Sequence, residues 1–413
     1  MERVRLYPTA SQIAHFEKML DVTRELYNAA LEQRITAYRR CGVFVSKGEQ
    51  CRELTEVRCD DARFKAIYRR CCDAALWRLD RAFTAFFRRL KRGQAPGFPR
   101  FQAASRWNTI VFDTPDACRL NRRQTKVKLP SVDLVRLRRG REIPMHGQVM
   151  ITRKAGRWYA LFDCLRVIAP LLKTGFDVGI DRGVAVTCAT SDGELLSLPE
   201  SLDGLRRRVI VAQRRMSRRE KRGKNRAKAR LLLARAHERV ANVRRNWCHE
   251  TSRMLVDRYD TIALEKLEVQ IMTKSAQGTV EKPGKSVRAK AGLYREIRSA
   301  GWSILGQLIA EKAECAARTV IEIDPKNTTR ECFSCGVVNK DSRRSQSDFV
   351  CTACGHAANA DTNAARVILK RAQLAPVGSL GALAPSEDLR SALSSGRTRL
   401  TSHRGARTHL AKR

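Results

Sequence analysis

Four cysteines and three acids are the residues whose types and spacing could do chemistry. Cys332-Phe-Ser-Cys335-Gly336 and Cys351-Thr-Ala-Cys354-Gly355 are two Cys-x-x-Cys-Gly knuckles with fifteen residues between them. Two residues between thiolates let one tight turn present both sulfurs to one ion, and glycine suits a turn that tends to need positive φ. Four thiolates close a tetrahedral Zn²⁺ site with no open position, so one zinc here is structural. His356 offers an alternative ligand, although four sulfurs already suffice. A redox dithiol is the alternative role, and two paired knuckles argue against it.

The acids stand at the ends of elements. Asp181 closes the strand-like Phe176-Asp-Val-Gly-Ile-Asp181, Glu265 closes Thr261-Ile-Ala-Leu-Glu265, and Asp361 opens a helix just after the second knuckle. Singly, each is an ordinary turn residue or helix N-cap. Jointly, a strand hairpin, a later strand and a helix each deliver one acid, which is the element order of an RNase H-like fold. Carboxylates are the hard oxygen ligands that two Mg²⁺ ions about 4 Å apart need to activate water and stabilise a leaving oxygen in phosphodiester hydrolysis. Asp177 lies on the same strand face as Asp181 and competes for the first position. No Ser-His or Cys-His pair stands out, and no phosphate-cradling Gly-Lys-Ser loop exists, so ATP-driven chemistry is not supported.

The elements that position these groups follow from periodicity. Residues 2–7 read as a strand, with Ser11 as the cap of a helix from about 12. Asp73–Lys91 is a second helix, whose Leu76, Leu79, Phe83, Phe86, Phe87 and Leu90 fall on one side, its aromatics being expected in the helix core. Gly93 stops it, and Gly97-Phe-Pro-Arg-Phe101 is a rigid turn. Short β-like runs fill 105–168. A strand ends at Asp181, Val184–Thr190 is a second, and Glu194–Leu198 returns after an Asp192-Gly193 turn. Residues 202–258 are helical and broken at Gly223, 273–292 a flexible loop, Trp302–Arg318 an amphipathic helix, and Thr319–Asp324 a strand.

Charge names the class of partner. The 413 residues carry 81 Lys and Arg against 42 Asp and Glu, a net charge of +39. Within 206–245, seventeen Lys or Arg face only Glu220 and Glu238, a local excess of +15. Such self-repulsion calls for a polyanion, and nucleic acid fits best because each neutralised phosphate releases a counterion. No apolar run approaches 18 residues, so a membrane is not a partner. The opening residues have no apolar signal segment, so a cytoplasmic, nucleoid-associated location is expected. The other ten cysteines show no disulfide spacing and are read as reduced thiols.

With these motifs in hand, the sequence resembles the TnpB family of transposon-encoded RNA-guided nucleases and the related miniature type V CRISPR effectors. Leu6-Tyr-Pro8 and Leu26-Tyr-Asn28 resemble the family's opening. Arg78-Leu-Asp-Arg-Ala-Phe83, Phe86-Phe-Arg88 and Gly97-Phe-Pro-Arg100 resemble its recognition lobe and the following turn. Gly179-Ile-Asp181-Arg-Gly183 with Ser191-Asp-Gly193, Leu264-Glu265-Lys-Leu267 and Ala360-Asp361-Thr-Asn-Ala-Ala365 resemble its three RuvC motifs, and favour Asp181 over Asp177. The resemblance implies an α/β multi-domain chain. A β-barrel wedge module (1–10 and 105–170) would be split around a helical recognition lobe (11–104). A RuvC-like nuclease domain (171–330, with the basic hairpin 202–258) would follow, then a zinc ribbon (331–358), a last RuvC segment (359–374) and a disordered basic tail (375–413). It also implies a guide RNA made from the transposon end, double-stranded target DNA cut beside a short flanking motif, Mg²⁺ at Asp181, Glu265 and Asp361, and a monomer. A CRISPR effector of the same build, a nuclease-silent regulator and a DNA-joining transposase are the competing functions. Gene neighbourhood separates the first; Asp181→Ala and RNA-free strand transfer separate the others.

Overall fold

The computed structural model describes residues 1–374 except 115, 116, 139, 141, 166, 167 and 279–282. The expected tail, 375–413, lies outside the described residues. The chain divides into two compact units, residues 1–167 and 168 onward.

In the first unit, β1 (Glu2–Tyr7) leads into α1 (Ala10–Cys41). The cap is Thr9 rather than Ser11. Its hydroxyl accepts from Gln12 N at 3.3 Å while Gln12 Oε1 accepts from Thr9 N at 3.0 Å, a reciprocal box that Ser11 has no partner to form. Three helices follow: α2 (Lys47–Asp60), α3 (Ala62–Lys65) and α4 (Arg69–Lys91). Six strands come next: β2 (Thr109–Phe112), β3 (Arg119–Leu120), β4 (Lys126–Leu129), β5 (Asp133–Leu137), β6 (His146–Lys154) and β7 (Arg157–Cys164). They form an antiparallel sheet in the order β2-β6-β7-β1-β5-β4-β3. β1 therefore sits inside the sheet, and the chain leaves after Tyr7 and returns at Thr109. Phe16, Met19, Leu31 and Leu76 from the helices share one core with Ile110, Phe112, Val149 and Phe162 from the strands.

The apolar stripe of α4 is only partly core. Leu76 and Leu79 are fully buried and Phe83 nearly so, but Phe87 is 38% and Leu90 55% exposed. Near that end the neighbouring α1 offers Ile35 and then Tyr38 and Arg39, so the stripe runs on past the last aliphatic side chain of its packing partner.

The second unit is built on a sheet of β8 (Asp177–Asp181), β9 (Cys188–Thr190), β10 (Leu195–Leu196), β11 (Thr261–Glu265) and β12 (Thr319–Ile323), ordered β10-β9-β8-β11-β12. β10, β9 and β8 are antiparallel neighbours, whereas β8, β11 and β12 run parallel. β9 is shorter than the expected 184–190. A Cβ on Gly183 would lie 2.7 Å from the Val186 carbonyl oxygen, so the chain bends tightly there before the strand begins. Between β10 and β11 stand α5 (Ser201–Ser217) and α6 (Lys224–Arg258), the basic hairpin, with Gly223 as the N-cap of α6. α7 (Val269–Met272), α8 (Val287–Ala300) and α9 (Trp302–Ala316) precede β12. The end of the expected 273–292 loop is thus helix. The hairpin β13 (Asp348–Val350) and β14 (Ala357–Asn359) leads into α10 (Ala360–Leu374). No described helix is long and apolar enough to cross a membrane.

Strand alternation assigns the faces. Val178, Ile180, Ile262 and Leu264 pack with Cys248 and Leu255 of α6 and Leu305 and Ile309 of α9. Each such fully buried aliphatic side chain contributes about 1.5–3 kcal/mol. The other face, with Ala263, Ile321 and Ile323, packs against Ile368 and Ala372 of α10.

Candidate active site and metal centre

The same alternation decides where the acids point. Val178 and Ile180 face α6 and α9, so Gly179 and Asp181 face α10. Ile262 and Leu264 likewise leave Ala263 and Glu265 on the α10 side. Because Ile180 pairs with Leu264 in the parallel ladder, Asp181 and Glu265 come side by side at the carboxyl ends of adjacent strands. Asp361 enters the same face in the first turn of α10. A Cβ at Gly179 would stand 2.0 Å from the Ala365 carbonyl oxygen, so only glycine lets the α10 backbone approach β8 this closely. Ala360, Ala364 and Ala365, all fully buried, keep the helix side of that contact small.

The structure brings Asp181, Glu265 and Asp361 together and leaves Asp177 out. The three are 7%, 6% and 7% exposed. Asp177 is exposed at the opposite end of β8, where its Oδ1 accepts from Thr261 N at 3.1 Å. Burial, then the charges of Glu265 and Asp361, push the Asp181 carboxyl up to about 7, with Arg343 opposing. Burial also raises Glu265, against a hydrogen bond from Thr328 and the charges of Arg182 and Arg371. Two acids raise the third, and all three are hard oxygen donors at one end of a sheet, the ligand type that a divalent cation takes.

Three supporting residues escaped sequence reasoning. Arg343, from the loop between the knuckles, donates from Nη2 to Asp361 Oδ1 at 2.9 Å and to the Gln346 carbonyl at 2.8 Å. Thr328, almost fully buried, donates its hydroxyl to Glu265 Oε1. Arg182, 8% exposed, donates to the carbonyls of Glu265 and, at 3.3 Å, Trp302. Its guanidinium has room because residue 306 is glycine, where a Cβ would lie 2.8 Å from Nη1. Arg182 directly follows Asp181 in the first motif, which was the available signal. Arg343 and Thr328 sit in loops with no periodicity to mark them.

The four sulfurs of Cys332, Cys335, Cys351 and Cys354 lie within 4.8 Å of one another. Cys332 and Cys354 are 3.7 Å apart, Cys335 and Cys351 3.5 Å. Zinc–sulfur bonds of about 2.3 Å give tetrahedral edges of about 3.8 Å, so the cluster fits Zn²⁺. Gly336 and Gly355 have φ of +76° and +74°, and their N–H groups donate to the carbonyls of Cys332 and Cys351. Backbone N–H groups of Cys354 and Ala353 lower the Cys351 thiol toward the thiolate that binds metal. His356 is not in the cluster; its carbonyl accepts from Cys351 N. Asn363, fully buried, accepts from Phe333 N at 3.1 Å and donates to the Glu331 carbonyl at 2.8 Å. It fastens the first knuckle to α10, and Asn359 Oδ1 caps that helix by accepting from Asp361 N at 3.0 Å.

Three family models match: "Probable transposase" of the IS605 OrfB type over residues 164–276, "Cas12f1-like, TNB domain" over 302–368, and "Helix-turn-helix domain" over 2–42. The second contains all four cysteines and Asp361. The third falls on β1 and the single 32-residue helix α1, with no turn between two helices. Among curated proteins, "Putative RNA-guided DNA endonuclease InsQ" of Escherichia coli (strain K12) is 30% identical over 371 residues, 89% of this chain and 90% of that one. "Putative RNA-guided DNA endonuclease" of Streptomyces pristinaespiralis is 29% identical over 89% of this chain and 88% of its own. A "CRISPR-associated endodeoxyribonuclease Cas12f1" of Sulfoacidibacillus thermotolerans is 30% identical over 46% of this chain and 44% of its own. The solved Cas12f1–sgRNA–target DNA complex aligns over 89% of this chain and 98% of that one, at 16% identity and a TM-score of 0.34, too loose a likeness to carry an argument. The chain belongs to the TnpB family.

Proposed function

We propose that the protein is a transposon-associated, RNA-guided DNA endonuclease with one RuvC-type site of RNase H-like topology, formed by Asp181, Glu265 and Asp361. The observation that carries this is the convergence of three buried acids, from two parallel strands and a helix, on one sheet face. Full-length similarity to chains named RNA-guided DNA endonucleases supports the guide and target.

The three carboxylates would hold Mg²⁺, which when bound supplies an activated water and stabilises the leaving oxygen. Thr328 and Arg182 fix Glu265 from its side chain and its backbone. Arg343, paired with Asp361, would donate its remaining N–H groups to a non-bridging phosphate oxygen. The basic hairpin α5–α6 offers its +15 stretch to phosphates. In this reading the β-rich segments 1–10 and 105–170 form the wedge module, 11–104 the recognition lobe, 171–330 and 359–374 the nuclease domain, and 331–358 the zinc ribbon. Pairing by the guide reads the target, while protein reads a short flanking motif.

The test is to sequence RNA that copurifies with the protein, then offer a supercoiled plasmid bearing the matching target. A fixed RNA scaffold joined to a variable guide, and Mg²⁺-dependent cutting of the matched plasmid only, are expected. Cutting without RNA, or joining of strands in its place, contradicts the proposal.

A further inference from the structure

The exposed end of α4 does not simply dangle. With α1, the loop after it and the Gly97–Phe101 turn, it encloses a cavity of about 510 Å³ lined by Tyr38, Arg39, Phe44, Phe83, Phe86 and Phe98. Phe98 meets Phe83 edge-on at 5.7 Å and Phe86 at 5.3 Å, and so fixes one wall. Phe44 and Phe87, 6.0 Å apart, form another. Tyr38, Phe44 and Phe98 are 65%, 61% and 48% exposed, an unusual amount of aromatic surface to leave in water.

The charged residues that line it, Arg34 and Arg39, are both cationic, and so are the stretches of chain they belong to or face. Residues 34–47 contain Arg34, Arg39, Arg40 and Lys47, and residues 81–101 contain Arg81, Arg88, Arg89, Lys91, Arg92 and Arg100; neither stretch has an acid. The acid next to the second stretch, Asp80, is engaged by Arg34 at 3.4 Å. Arg34 itself, buried, also lies over the Phe83 ring at 5.3 Å. Aromatic walls with cationic side chains beside them are the two halves of a single-strand site: rings stack the bases and cations follow the backbone. A second copy of the chain fits poorly, since each copy carries +39 and would press one cationic rim against another.

We propose that this cavity stacks one or two unpaired nucleobases of a single-stranded nucleic acid, with the flanking phosphates on the arginine rim. The proposal deepens the nucleic-acid reading above and names a place for an unpaired segment, RNA or DNA. It also gives the Gly97-Phe-Pro-Arg-Phe101 turn a task, to hold Phe98 edge-on as a wall.

The full-length protein is titrated with fluorescein-labelled 12-nucleotide oligo(U), oligo(dT) and an abasic deoxyribose oligomer of equal length. Phe44→Ala combined with Phe98→Ala changes two half-exposed side chains and spares the core; Phe44→Tyr keeps the ring. The double variant should lose about tenfold in affinity for a base-bearing probe and nothing for the abasic one, with Phe44→Tyr unchanged. Whichever of oligo(U) or oligo(dT) loses more identifies the strand. Equal loss on the abasic probe, or no loss on any, overturns the proposal. So does a wild-type dimer in sedimentation that the double variant abolishes, which would make the face a contact between copies. The titration is run without Mg²⁺ and reads binding only, so it does not depend on cleavage at Asp181, Glu265 or Asp361. Base stacking without cleavage therefore sinks only the nuclease reading, and cleavage with unaltered base binding sinks only this one.

Discussion

Arg343 leaves the ribbon to donate a 2.9 Å hydrogen bond to Asp361, so the zinc-binding segment and the carboxylate cluster share an ion pair. Asn363 adds another link, two residues along α10 from Asp361 and bonded to Phe333 and Glu331 at the first knuckle. The four-cysteine cluster and the buried acids are therefore tied by side-chain contacts as well as by the chain.

Replacing Arg343 separates these roles. Arg343→Ala should keep one zinc per chain and bind RNA as wild type does, yet cleave DNA about a hundred- to a thousandfold more slowly, in the range seen when one charge-stabilising donor is removed. Single-turnover cleavage beside zinc analysis checks this; unchanged cleavage would show the ion pair to be structural only.

Asp181 gives a pH signature. An acid raised from near 3.8 to about 7 is protonated in the folded chain where the unfolded chain would ionise. That stability is fully present below the unfolded pKa and is lost as pH rises through about 7. Metal-free, RNA-free Asp181→Asn should therefore gain on wild type in thermal midpoint between pH 5 and pH 8. Mg²⁺ should narrow the gap at pH 8 by stabilising only wild type. An equal gap at both pH values, with or without Mg²⁺, contradicts the assignment.

Gly179→Ala tests the close approach of α10. The added methyl meets the Ala365 carbonyl and the Leu369 backbone, so helix or strand must shift. A loss of about 1–3 kcal/mol is expected. Urea unfolding reads it, and cleavage should fall with it while zinc content stays at wild type. A variant as stable and active as wild type would mean that α10 does not rest on β8 as described.

The zinc ribbon is tested by Cys332→Ser combined with Cys335→Ser. Metal analysis of wild type should find about one zinc per chain, and the double variant should lose it. Through Asn363 and Arg343 it should lose most cleavage as well. Full zinc retention refutes the ligand set, and full activity without zinc refutes the coupling.

What the sequence made legible was local. Knuckle spacing placed four sulfurs within bonding reach of one ion, and two-residue alternation put Asp181 and Glu265 at strand ends. What stayed hidden was set by tertiary contact. Arg343 and Thr328 reach the acids from irregular loops, and Arg182 depends on the missing side chain at Gly306, 124 residues away in the chain. Asp177 and Asp181 share a strand face and were separable from residues alone only by resemblance; the structure parts them because α10 covers one end of β8 and leaves Asp177 exposed. On α4 the apolar period is sound, but a stripe does not reveal where its packing partner stops: past Ile35, α1 brings Tyr38 and Arg39 beside Phe87, and Leu90 is left exposed.

The most direct measurement is cleavage of a matched supercoiled plasmid by the RNA-loaded protein in Mg²⁺, wild type beside Asp181→Asn, Glu265→Gln and Asp361→Asn. Residues that act as one unit lose roughly a thousandfold or more when any one is removed. The account predicts that each variant binds guide and target as wild type does and leaves the plasmid uncut. Robust cutting by any one of them, Asp361→Asn above all, would contradict it.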